Sequence, residues 1–247
     1  MHGQRGAVPH AHVVAVVGSL ELVVAAIPVQ ADVTDPEGQR ALMTAAEEVL
    51  GPVGVLVNNA GGDLQREFHH LTRDDLERML RVNLSAPIEL AHLLLPGMLQ
   101  RGRGHIVNIS SFAGRTGLPH TQAYAAAKDG LIGFTRVMRT DYRRAGVSAS
   151  VIVLGPIREA GTIPRTLEET GVQMPRLATT SPPNTVAKAV VRAIRSDKAE
   201  IVVMPGPGRF MKALMDLFPS LGTRMNRAVG ARTLAGSADR ASGGCHA

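Results

Sequence analysis

In the stretch YAAAK, Tyr124 and Lys128 stand four residues apart. On a helix that spacing puts both side chains on one face. An ammonium beside a phenol favours the phenolate and lowers its pKa from the usual value of about 10. A phenol tuned in this way acts as a general acid or base near neutral pH. The pair also fits an ordinary helix surface, so its neighbours matter. Ser111 closes the run NISS, 13 residues before Tyr124. A hydroxyl there would bond a substrate oxygen and turn it toward Tyr124; equally, it fits a serine capping a strand end. NNAG (58–61) closes an apolar strand. Small residues at Ala60 and Gly61 would let a ligand approach the backbone, and Asn58 would tie neighbouring loops; an ordinary turn has the same composition. Asn83, in RVNLSAP, is a polar residue between Val82 and Leu84. It bends a helix, holds a water, or is a satisfied core asparagine.

These residues need elements to position them. Short β-branched runs alternate with longer amphipathic stretches. Strands are predicted over 12–17, 28–33, 54–61, 104–111, 147–155 and 199–206. Helices are predicted over 35–50, 72–102, 121–146 and 181–197, the second capped by Thr72 and bent at Pro87. Such alternation predicts an α/β fold, a mostly parallel sheet with helices on both faces. Ligands in such sheets bind beyond the carboxyl ends of the strands. Residues 1–230 form one domain, and 231–247, rich in Ala, Gly and Ser, read as a disordered tail.

Hydrophobic residues make up 45% of the 247 and aromatics only 3%, so the core must be aliphatic. The net charge of +6 lacks the dense basic patch with interleaved aromatics that nucleic-acid binding would favour. The single cysteine, Cys245, forbids an internal disulfide or a CxxC site and fits the cytoplasm. No continuous apolar run has the length of about 18 residues that a membrane span needs, and 1–12 lacks the apolar core of a signal peptide. His69, His70 and His120 show no ligand pattern with partners, so no metal is expected.

Together, ADVTD (31–35), NNAG, VN (82–83), IVNISSFAG (106–114) and YAAAK resemble the classical short-chain dehydrogenase/reductase family in order and spacing. The likeness runs from about residue 12 to about 230 and implies a Rossmann-like, doubly wound fold. It also implies an NAD(P)-dependent oxidoreductase that interconverts a carbonyl and a secondary alcohol. By that likeness Tyr124 passes the proton, and Lys128 lowers the Tyr124 pKa and holds the nicotinamide ribose. Ser111 holds the substrate oxygen, and Asn83 holds a water behind Lys128. Asp32 and Val33 contact adenine, Asn58, Ala60 and Gly61 line the adenine-ribose side, and Gly155 and Ile157 lie by the carboxamide. The cofactor supplies the hydride. The family's helices at 72–102 and 121–146 imply a homodimer or homotetramer.

The chain departs from that pattern in two places. Glu159 stands where a threonine is common, and an anion beside diphosphate is unfavourable. The glycine-rich turn that would bind pyrophosphate at a helix N-terminus has no match before residue 32; VVGSLELVV offers Gly18 alone. Only 31 residues precede Asp32, so 12–17 reads as the family's second strand, followed by the stub of a helix, with the first βα unit missing. Val17-Gly18-Ser19 carries no acid, which leans the cofactor from NAD toward NADP. Two other readings stay open: a catalytically impaired binding protein of the same fold, and a fragment of a longer active enzyme. Apolar residues Ile157, Ile163, Leu167, Val172, Met174 and Leu177 suggest a lid over a lipophilic substrate, or a loop packed on its own domain. The basic, apolar stretch 207–229 reads as a helix docked on the core or a subunit interface rather than on a membrane.

Overall fold

The computed structural model describes residues 12–17, 25–64, 66–116, 118, 120–158, 180–206, 208–218 and 220. Four strands form one parallel sheet in chain order: β3 (Val55–Asn58), β4 (Gly104–Ser111), β5 (Val147–Leu154) and β6 (Glu200–Val203). Register pairs Asn58 with Asn108, Ser111 with Leu154, and Leu154 with Val203. Because all four strands run the same way, their carboxyl ends collect at one edge.

Side-chain alternation divides the two faces. Ile106 of β4 and Val147 and Ala149 of β5 pack with Leu90, Ala91, Leu94 and Met98 of α3 (Ala86–Gln100) and Met138 of α5 (Gln122–Tyr142). Val107 and Ile109 of β4, with Ile152 of β5, pack on the other face against Ala189 and Ala193 of α6 (Pro183–Arg195). The sheet is therefore covered on both sides, as its apolar runs require. Val55 and Val57, on the outermost strand β3, remain more than a third exposed.

The expected single helix over 72–102 is broken. α2 (Arg73–Leu80) begins at a capping box in which Thr72 and Asp75 each accept the other's backbone N–H. A π-helical turn then spans Arg81–Ser85, before α3. Pro87 gives the reason: it has no N–H, and its ring crowds the carbonyl four residues back, that of Asn83. The run Arg73–Gln100 reaches the mean hydropathy of a membrane span, but the apolar side chains named above are core residues.

The amino-terminal strands depart most from expectation. β1 (His12–Val17) and β2 (Ala25–Gln30) pair antiparallel as a separate two-stranded sheet, His12 opposite Gln30 and Val17 opposite Ala25. The expected strand–helix–strand passage between parallel neighbours is thus corrected to a hairpin; residues 18–24, where the helix stub was expected, lie outside the described residues. Runs of Val, Ile and Ala fit either pairing, because nothing in them fixes strand direction. β2 also ends at Gln30 rather than residue 33. Asp32 turns the chain there, accepting from Thr34 N at 2.8 Å and Thr34 Oγ1 at 2.7 Å. α1 (Pro36–Leu50) follows, capped by Asp35 through Gly38 N.

Candidate active site

β4 delivers Ser111 to the carboxyl edge of the sheet, and α5 carries Tyr124 and Lys128 across it. A run of buried polar contacts fixes α5 against β4. Asn58 Nδ2 donates to Asn108 Oδ1 at 2.8 Å, Asn108 Nδ2 donates to Thr135 Oγ1 at 2.9 Å, and Thr135 Oγ1 donates to Leu131 O at 2.6 Å. One turn nearer the site, Ser110 Oγ donates to Lys128 O at 2.8 Å. Buried amides and hydroxyls need such partners, so the two elements have little freedom to slide. Asn108, Ser110 and Thr135 position the site, and sequence reasoning missed all three. Alternation along IVNISS, with polar residues at every second position of an apolar strand, was the available signal.

The structure brings Ser111, Tyr124, Lys128, Asn83 and Gly61 together. Tyr124 and Ser111 lie close enough for the serine side chain to favour the ionised phenol. Lys128, only 5% exposed, donates from Nζ to Ile109 O at 3.0 Å, and its Nζ lies 5.7 Å from the Tyr124 ring centroid. Burial brings Lys128 down to about 8. The expectation that Lys128 lowers Tyr124 is corrected. Burial raises the phenol above its usual value, Ser111 partly offsets this, and the Asp63 carboxylate raises it further. The ammonium is turned to the Ile109 carbonyl rather than to the phenol oxygen.

Asn83 is fully buried, and its amide is engaged by backbone. Its Nδ2 donates to Gly62 O at 2.7 Å and Met79 O at 2.9 Å, and its Oδ1 accepts from Gly62 N at 3.3 Å. It clamps the loop after β3. Gly61 is needed there: a Cβ would lie 2.6 Å from Asn83 Oδ1 and 3.2 Å from Lys128 Nζ. Gly61's missing side chain thus makes room for these two residues.

The other expected cofactor contacts are more dispersed. Asn58 is buried against Asn108 and Pro87 O. Ala60 packs partly buried on the core. Asp32 is exposed in its turn, and Val33, 3% exposed, is a core side chain. Gly155 N donates to Val203 O at 2.8 Å, and Ile157 is buried beside Ser181 at a parallel bridge. Glu159 and the expected lid residues 163–177 lie outside the described residues. Of the stretch 207–229, the described part is α7 (Gly208–Leu217) with Phe218, and Phe210, Leu217 and Phe218 are exposed. His69 and His70 stand with Glu67 on an exposed turn, their ligand atoms within 4.8 Å of one another.

Asp63 is a further residue that sequence reasoning passed over. It follows NNAGG on the clamped loop, and burial raises it to about 7.

A family model for short chain dehydrogenases matches residues 4–169. The chain is 36% identical over 210 residues to the ketoacyl reductase HetN of Nostoc sp., covering 83% of this chain and 72% of that protein. It is 39% identical over 137 residues to the inactive 2-(S)-hydroxypropyl-CoM dehydrogenase 2 of Xanthobacter autotrophicus, covering 56% of this chain and 60% of that one. Among solved structures, a 4-hydroxyisoleucine dehydrogenase complexed with NADH and succinate superposes with a TM-score of 0.62 at 25% identity, over 72% of this chain and 78% of that one.

Proposed function

The chain belongs to the short-chain dehydrogenase family, and on that premise we propose that it interconverts a carbonyl and a secondary alcohol with a nicotinamide cofactor. One observation carries the reading: Ser111 and Tyr124 adjoin each other beside a buried Lys128, at the carboxyl edge of a parallel sheet. The donor set fits the nicotinamide-ribose end of such a cofactor. Lys128 makes one hydrogen bond among the described residues, so its ammonium keeps donors for ribose hydroxyls. When bound, the nicotinamide gives or takes the hydride. Ser111 holds the substrate oxygen against Tyr124. In reduction Tyr124 gives its proton to that oxygen, and in oxidation it takes one back. A phenol held above its usual value is protonated at neutral pH, so the resting site is set for reduction, and oxidation gains as pH rises.

On the family likeness alone, the absence of an acid at Val17-Gly18-Ser19 leans the cofactor toward NADP. Pairing through α3 and α5 as a homo-oligomer is supported by Leu93 and Val137, exposed on those helices. Asp32, Val33, Gly155 and Ile157 are assigned to the cofactor on the family likeness.

Tyr124→Phe tests the reading. Turnover should fall by about 10²-fold or more while cofactor affinity stays within a few-fold; full activity in the variant overturns it. A second reading, a binding protein that does not catalyse, is favoured by the separate antiparallel hairpin beside an outer strand β3 that joins no amino-terminal strand among the described residues. Calorimetric titration with NADH and NADPH separates the two. Micromolar binding supports the enzyme, and none at millimolar concentration supports the second reading.

A further inference from the structure

Three buried polar atoms among the described residues lack a hydrogen-bond partner: Asp63 Oδ1, Arg115 Nε and Asp129 Oδ1. The last two face each other as an ion pair at 3.0 Å. Asp63 is left without such an account. Buried polar atoms in folded proteins are paired in roughly nine cases of ten, because leaving one unpaired is costly. A buried oxygen left without a partner beside Gly61 and Gly62 therefore points to a donor that has yet to reach it.

The position of Asp63 is fixed rather than accidental. Asn83 grips Gly62 through both its N–H and its carbonyl, and Gly61 is packed against Asn83 and Lys128. Those contacts hold the next residue, Asp63, close enough to Tyr124 for its charge to act on the phenol. Asp63 has no part in passing the proton or holding the reacting oxygen, yet it lies beside both.

We propose that Asp63 recognises a hydroxyl group that the substrate carries next to its reacting carbonyl, which makes hydroxyketones and the corresponding diols the preferred substrate class. This rests on the oxidoreductase reading above. A hydroxyl suits the site better than an amine. Burial brings Asp63 to about 7, so both of its forms are present near neutral pH. A hydroxyl donates to the carboxylate and accepts from the acid, whereas an ammonium needs the ionised form alone. A carboxylate or phosphate at that position would be repelled. A site built to bond a hydroxyl discriminates strongly against the analogue that lacks it, because its own buried group is then unpaired.

The test compares 3-hydroxy-2-butanone with 2-butanone, each with NADPH and NADH, in the full chain and in Asp63→Leu. Taking the ratio of kcat/KM within each protein removes the intrinsic reactivity of the two ketones. The ratio should fall by at least about tenfold in Asp63→Leu, and Asp63→Asn should lie between. An unchanged ratio overturns the proposal while leaving the oxidoreductase reading intact. Turnover of both ketones that survives Tyr124→Phe overturns that reading instead. Should neither ketone turn over, saturation-transfer NMR on the same pair decides. Stronger binding of the hydroxyketone that is lost in Asp63→Leu supports the proposal, and equal binding in both proteins overturns it.

Discussion

Asp63 and Asp197 lie at opposite ends of the same sheet, and their surroundings have opposite character. Asp197, at the amino end of β5, accepts from Arg139 Nη1 at 2.7 Å, Ser148 Oγ at 2.5 Å and Arg143 Nε at 2.7 Å. Those partners hold it well below the usual carboxylate range, against the burial that opposes them. The network continues through β4 and β5. Ser150 Oγ donates to Lys198 O at 2.6 Å, which leaves the Ser150 oxygen to accept from His105 Nε2 at 2.7 Å. At the carboxyl end, Asp63 has an orphaned oxygen and is pushed up, Lys128 is pushed down, and Tyr124 is pushed up. Satisfied polar groups hold elements together; groups held away from their preferred charge state, without full partners, are the ones available for chemistry. The amino end locks the sheet to α5, and the carboxyl end uses the rigidity this gives.

Four substitutions would break or sharpen that contrast. Lys128→Met should have the largest effect, lowering turnover by about 10²-fold or more. It should also raise thermal stability at neutral pH. Lys128 has a folded pKa of about 8 against 10.5 for the free group, so its charge costs the fold stability that is lost as pH falls from 10.5 to 8 and is not regained below. A Tm scan at pH 7 and pH 10 reads this, and a variant less stable at both would contradict it. Asn108→Leu should come next, by about 1–3 kcal/mol in urea unfolding, because it strands Asn58 and Thr135 in the core. It should lower kcat as well, since α5 loses its register on β4. Asp197→Asn should cost about 1–2 kcal/mol, a figure reduced for solvent screening of a carboxylate about a third exposed, with kcat per folded molecule retained. Asp197 contributes stability that is present above its unfolded pKa of 3.8 and lost as pH falls below it, so the variant should flatten acid unfolding. Asp63→Asn should leave stability nearly unchanged at pH 4 and act over the opposite window. A carboxyl raised to about 7 loses stability as pH rises from about 4 to about 7, and the variant should remove that slope.

The carboxyl half of this site was legible in the chain, and the amino-terminal strands were not. Ser111, Tyr124, Lys128 and Asn83 stand at fixed spacings, and the turn of a helix dictates that the two polar residues of YAAAK share a face. The strands β4 and β5 alternate between two covered faces, so their limits could be placed to within one residue, whereas β3 and β6 end three residues before the expected 61 and 206. HVVAVV and AAIPVQ have no such markers. Their apolar residues would suit a parallel or an antiparallel partner, and the pairing comes from contacts the sequence does not specify locally. The π turn at Arg81–Ser85 was partly legible, because Pro87 had to disturb the helix somewhere. The Tyr124 pKa was not, since spacing gives a shared face but not the rotamer that turns Lys128 toward the Ile109 carbonyl. Asp63 carried no pattern of its own; only burial made it conspicuous.

The central claim is that this site moves a hydride between a nicotinamide ring and a carbonyl carbon. Incubating the full chain with 4,4-dideuterated NADPH or NADH and 3-hydroxy-2-butanone, then weighing the product by mass spectrometry, tests it directly. The account predicts a diol carrying one deuterium at the former carbonyl carbon from wild type and almost none from Tyr124→Phe. A diol without deuterium, or equal labelled product from both proteins, would contradict it.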